Sequence, residues 1–250
     1  MRTLCAKTPP GNYRSALGFA ALLSLLAGSP ALATTITNVE LYDGGETVTF
    51  GYAGNGSNPY GVAGESGLAG QIILTNSAGG TVDAWCIDLF HDVYLGSGQN
   101  LTYTGEAIAN ASNGDGGTLT GLQASEVAGL VNYGNALIAA GGATLDQSAG
   151  IQMAIWSTEL PGLTFTGPSA AVTDWDTYVS LAPTLAATVD VEALVSLTGT
   201  QELAAYDTQI PEPSSLLLLG FGILLLAGLN RQKTAGWLGA HFSRSCPSYL

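Results

Sequence analysis

The chain of 250 residues carries 19 Asp and Glu against 6 Lys and Arg, for a formal net charge of −13, with 46% hydrophobic residues. All six cations (Arg2, Lys7, Arg14, Arg231, Lys233 and Arg244) lie near an end, so the stretch 34–209 holds every acidic residue but Glu212 and no Lys or Arg. That stretch has no phosphate-neutralising groups to bind nucleic acid and nothing to attract it to an anionic lipid surface.

Arg2, Lys7 and Arg14 precede an apolar core at Ala16–Gly28 and a small-x-small site at Ala31-Leu32-Ala33. This pattern predicts a secretory signal peptide over 1–33, cut by signal peptidase after Ala33. Cys5 leaves with it, and Cys246 falls beyond a second apolar stretch, so the exported domain at 34–209 keeps Cys86 alone. A single Cys in an oxidising compartment has no disulfide partner within its own domain. It is buried and inert, paired to another chain, or used for chemistry.

Alternating, β-branched runs predict strands at Ile36–Tyr42 and Thr47–Tyr52, with Asp43-Gly44-Gly45 turning between them. Asn55–Gly67 reads as a Gly/Asn/Ser loop. Two further strands are expected at Gln71–Thr75 and Thr81–Leu89, separated by Asn76–Gly80. Gly96–Thr120 reads as loop with one strand at Leu101–Tyr103. The pattern then changes: Val127, Leu130, Val131, Leu137 and Ile138 recur at helical spacing over Ala124–Ala140, stopped by Gly141-Gly142. Thr144-Leu145-Asp146-Gln147 has the form of a capping box opening a helix to about Glu159. A third helix is expected over Thr173–Leu181, then strands at Val189–Leu197 and Gln201–Tyr206 around Thr198-Gly199-Thr200. The fold class predicted is α+β: an antiparallel β-sandwich or barrel with a helical αα-hairpin insertion.

Two segments stand out chemically. In Trp85-Cys86-Ile87-Asp88 the strand period puts Cys86 and Asp88 on one face and Trp85 and Ile87 on the other. In Ile151-Gln152-Met153-Ala154-Ile155-Trp156 the i,i+4 relation puts Gln152 and Trp156 on one helix face, with isoleucines pressing the Gln inward. A buried carboxamide needs partners for two donors and an acceptor. In this order the pair resembles the Cys–Gln thioester domains of surface adhesins, over roughly Ile36–Tyr206. The resemblance implies that the Cys86 sulfur attacks the Gln152 carboxamide, ammonia leaves, and Trp85 and Trp156 shield the resulting thioester. Trp85 stands where that family more often has a smaller aromatic. A stored thioester is a single-use covalent tether, and forming one needs proximity and exclusion of water. Asp88 or His91 could assist thiolate formation, neither being assignable. A lysine-free domain also has no ε-amine of its own to consume such a bond.

Other constellations are weaker. Cys86 and His91 as a hydrolase pair fall on opposite strand faces unless the chain bends at Leu89-Phe90. Asp88, His91 and Asp92 read as a solvated turn rather than a metal site, and Asn113–Gly117 lacks the closing acid of a calcium loop. No metal or other cofactor is implied.

The C-terminal stretch Pro211–Lys233 begins with Pro211-Glu212-Pro213, runs uncharged from Ser214 to Leu229, and closes with Arg231 and Lys233. It resembles the PEP-CTERM sorting signal of Gram-negative envelope proteins, which implies an exosortase partner. It is read as a sorting signal over 210–233 with a transmembrane segment at 214–229. At about 1.5 Å per residue that segment reaches about 24 Å, a marginal span for a hydrocarbon core of about 30 Å. The cations stay cytoplasmic, followed by a tail at 234–250 with no assigned role. The expectation is an exported, non-enzymatic protein, anchored in the inner membrane before processing and then sent to the cell surface or extracellular matrix. There Cys86 and Gln152 would join it to an amine- or hydroxyl-bearing surface or matrix polymer. The alternative is a passive structural matrix or surface protein with no thioester.

Overall fold

A computed structural model describes residues 33–53, 61, 63–112 and 117–206. The expected signal peptide before Ala33, the sorting motif, the expected transmembrane segment 214–229, the expected basic anchor and the C-terminal stretch 234–250 lie outside them. No helix among the described residues is long and apolar enough to cross a membrane.

Among the described residues nine strands and three α-helices follow in order: β1 (Thr34–Leu41), β2 (Glu46–Tyr52), β3 (Ser66–Ala69), β4 (Ile72–Asn76), β5 (Thr81–Cys86), β6 (Gly96–Ala107), α1 (Gly121–Ala139), α2 (Leu145–Glu159), β7 (Leu163–Thr166), α3 (Ser169–Leu181), β8 (Val191–Ser196) and β9 (Leu203–Tyr206). Six strands close into an antiparallel barrel in the order β1-β4-β5-β9-β8-β6, so the expected sandwich or barrel is a barrel. A separate three-stranded sheet has the order β3-β2-β7.

Asp43-Gly44-Gly45 does not close a hairpin. β1 pairs with β4 and β6, whereas β2 pairs with β3 and β7, so this turn carries the chain from the barrel to the small sheet. Asp43 takes φ 48° and Gly44 φ 89°, a left-handed pair that redirects the chain. Asn76–Gly80, by contrast, does join a hairpin, β4 to β5: Asn76 Oδ1 accepts the main-chain N–H groups of Ala78 and Gly80.

Both of the first two helices open on reciprocal capping boxes. Thr144 accepts from Gln147 N–H while Gln147 Oε1 accepts from Thr144 N–H, and Thr120 with Gln123 repeats the arrangement on α1. Helix α2 is the centre of the domain. Ser148 through Trp156 are buried without interruption, because α2 packs against α1, α3, β5 and the small sheet together. Val127, Leu130 and Val131 of α1, Ile151 and Ile155 of α2, and Trp85 and Ile87 from the end of β5 form one apolar cluster. That burial is the main source of stability in a domain without Lys or Arg. It also fixes α2 against the end of β5, where the site lies.

Candidate functional site

Strand β5 loses its β4 partner one step early. The last β4–β5 pair is Ile72–Ala84, and two residues further on Cys86 pairs only with Leu203 of β9. The main-chain groups of Cys86 on the β4 side would be orphaned inside the protein, a cost of about 1–3 kcal/mol each. Gln152 of α2 takes the vacated place. Its Oε1 accepts from Cys86 N–H at 2.9 Å, and its Nε2 donates to Cys86 C=O at 2.8 Å. The main chain of one residue thereby fixes the orientation of the carboxamide, since the opposite setting would face donor with donor. The unusual buried Gln therefore completes a β-ladder with its side chain.

The Cys86 sulfur is the only free thiol among the described residues, and it is buried. Sγ donates to Asp88 C=O at 3.2 Å and accepts the Trp156 indole N–H at 3.2 Å. Burial pushes its pKa well above the usual 9.0, opposed by the main-chain contact at Asp88 and by the Trp156 hydrogen bond, and reinforced by the negative potential of Glu159 and Asp88. The group is held as a thiol, not a preformed thiolate. Trp156 is itself fixed by an aromatic cluster from the small sheet: Phe50 of β2 meets it edge-on at 5.4 Å and Phe165 of β7 stacks at 6.1 Å.

Trp85 is not part of this pocket. It points the other way, fully buried against α1, with Nε1 donating to Asn135 Oδ1 at 2.8 Å. Gln71 Nε2 donates to the same oxygen, also at 2.8 Å. The strand period puts Trp85 and Cys86 on opposite faces, so of the two tryptophans only Trp156 contacts the Cys86 sulfur.

Strand β5 ends at Cys86 rather than Leu89, and the chain bends. Asp88 is not a solvated turn residue but 5% exposed; its Oδ1 accepts Phe90 N–H at 2.8 Å and its Oδ2 meets His91 Nδ1 at 2.6 Å. Gln201 Nε2 donates to Asp88 C=O at 2.8 Å and pins the bend to the β8–β9 connection. The bend returns His91 to the side of Cys86. Cys86, Gln152, Trp156, His91, Asp92 and Gln201 all line one cavity of about 410 Å³. No cluster of three or more His, Cys, Asp or Glu suited to a metal ion occurs among the described residues.

Sequence reasoning missed Gln71, Asn135, Gln201 and Glu159. The first three are amides whose partners are 50 to 113 residues away, and no local pattern signals that. Glu159 follows Gln152 and Trp156 at i+7 and i+3 on one helix face, a spacing open to inspection. It is 3% exposed, and its Oε1 has no hydrogen-bond partner.

Residues 209–232 match the model of the PEP-CTERM protein-sorting motif. The chain carries a PEP-CTERM sorting tail. The motif implies processing by an exosortase and an exported protein that passes the membrane. No curated protein matches the chain. Among solved structures, the chain is similar to the N-terminal thioester domain of fibronectin-binding protein SfbI from Streptococcus pyogenes. That likeness has 14% identity and a TM-score of 0.39, over 68% of this chain and 98% of that one. The pilus-presented adhesin Spy0125 (Cpa) is similar at 11% identity and a TM-score of 0.40, over 70% of this chain. The likeness spans 46% of that adhesin's chain, less than half its length. Both likenesses are distant.

Proposed function

We propose that the exported domain is a covalent adhesion module whose reactive group is an internal thioester between Cys86 Sγ and Gln152 Cδ. The observation that carries this is the double hydrogen bond by which the Cys86 main chain holds the Gln152 carboxamide, with both residues lining one cavity. In the forming step Sγ attacks Cδ, the Sγ–H proton goes to Nε2, and ammonia leaves. The charge that develops on Oε1 is already faced by Cys86 N–H, a preorganised donor of the oxyanion-hole kind. The Trp156 indole N–H supports the negative sulfur as its proton departs, and Trp156, backed by Phe50 and Phe165, shields the sulfur on that side. In use, an amine or hydroxyl on a surface or matrix polymer attacks Cδ, and Cys86 leaves as the thiol. The domain acts once, as a tether and not as a turnover enzyme. The sorting tail delivers it past the membrane, and the destination proposed is the cell surface or extracellular matrix.

A lysine-free domain gives trypsin nothing to cut, but cleavage at Asp and Glu isolates the two halves of the site. Digestion of the purified protein should yield the 84–88 peptide joined to the 147–159 peptide, their combined mass reduced by one ammonia. Separate, full-mass peptides from freshly prepared protein would contradict the reading and favour a passive matrix component.

A further inference from the structure

Resting on that reading, we propose that His91, oriented by Asp88, is the base that takes the proton from the acceptor nucleophile as it attacks the thioester. Asp88 is buried and fixed on both carboxylate oxygens, with Phe90 N–H on Oδ1 and His91 Nδ1 on Oδ2 at 2.6 Å. A carboxylate receiving Nδ1–H holds the imidazole in one tautomer and leaves the lone pair on Nε2. The His91 side chain is 56% exposed, and it lines the cavity that Cys86 and Gln152 line. An acceptor entering from solvent therefore meets the imidazole in the cavity that leads to the acyl carbon.

The step balances without a co-reactant. The nucleophile's N or O bonds to Gln152 Cδ and its proton passes to His91 Nε2. The Cδ–Sγ bond breaks, and Sγ takes the proton from the imidazolium. Both protein residues end as they began before thioester formation, except that Gln152 is now an amide or ester of the acceptor. The same base explains why Cys86 can be a poor leaving group at rest and a competent one in use: burial favours the protonated sulfur, and His91 supplies that proton. The other titratable groups around this reaction are Asp88 on Nδ1, Asp92 and Glu65 in the cavity lining, Glu202 from the β8–β9 connection, Glu159 and Tyr103 acting on the sulfur, and Cys86 itself.

Methylamine is the probe, applied to purified full-length protein in detergent, with capture followed by intact mass. His91→Gln should keep the ammonia deficit of the wild type but capture methylamine about 100-fold more slowly near neutral pH, within the range for loss of a general base. Asp88→Asn, which keeps the main-chain carbonyl that holds Sγ, should also form the thioester and lie between the two. The ratio of wild-type to His91→Gln rates at one pH cancels the protonation of methylamine itself. A thioester-bearing His91→Gln protein with the wild-type rate overturns the role of His91 alone. A wild type with no ammonia deficit overturns it together with the thioester.

Discussion

The Gln152 carboxamide is bound to the Cys86 peptide on both sides, Oε1 to N–H at 2.9 Å and Nε2 to C=O at 2.8 Å, where strand β4 no longer reaches β5. A side chain of a central helix thus serves as a missing strand partner, bound to the main chain of the residue that carries the thiol, and both residues line one cavity.

Gln152→Ala removes both hydrogen bonds and leaves a small cavity at a position 1% exposed. The orphaned Cys86 groups and the lost packing together should cost about 2–4 kcal/mol, read as a lower midpoint in urea. It should also leave Cys86 as a thiol titratable after denaturation.

Trp156→Phe keeps the packing against Phe50 and Phe165 but loses the indole N–H on Sγ. Stability should fall by only about 1 kcal/mol. Thioester formation should slow, because the sulfur loses a donor that stabilises its negative form. The check is the fraction of protein lacking ammonia at a fixed time after refolding.

Gly134 of α1 lets Trp85 lie against the helix. A Cβ there would meet Trp85 Cζ2 at 2.6 Å and Ile151 Cγ2 at 3.2 Å. Gly134→Ala should destabilise by about 1–3 kcal/mol through overpacking. At Gly121, the start of the same helix, an added methyl would have nothing within 4 Å, so Gly121→Ala should be neutral or mildly stabilising. Thermal unfolding of the two variants separates packing from helix propensity.

Glu159 gives the domain an acid-favouring stability. Burial, then the charges of Asp88 and Glu202, raise its pKa well above the ordinary 4.5. A carboxyl whose folded pKa exceeds its unfolded one binds its proton more tightly in the fold. Its contribution is therefore complete below about 4.5 and is lost as pH rises toward the folded value. Urea midpoints should fall over that interval in the wild type. Glu159→Gln should flatten the decline and be the more stable protein at pH 7–8; a wild-type profile in the variant would place the effect elsewhere.

Much of this architecture is legible from local pattern. The capping box at Thr144–Gln147 marks the start of α2, and the opposite faces of Trp85 and Cys86 follow from the strand period. Other elements are hidden for physical reasons. β6 runs twelve residues, yet only Leu101 and Tyr103 are buried, so its first half shows only the Gly, Ser, Gln and Asn of a loop. β3 and β7 are four residues each, one glycine-bearing and the other directly after Pro161-Gly162, too short to show a period. The partner of β1 cannot be read at all, since sheet pairing depends on residues far along the chain. In the site, the pair Cys86 and Gln152 carries a sequence signal, whereas the Asp88–His91 contact requires the bend after Cys86.

The central claim is the covalent bond between Cys86 and Gln152, and intact mass tests it most directly. Freshly purified protein should be lighter than its sequence by one ammonia, the deficit should be absent in Cys86→Ala, and methylamine should convert the wild type to the mass of a methylamide with one free thiol. A wild type at full mass, with a titratable thiol and no response to methylamine, would contradict the account.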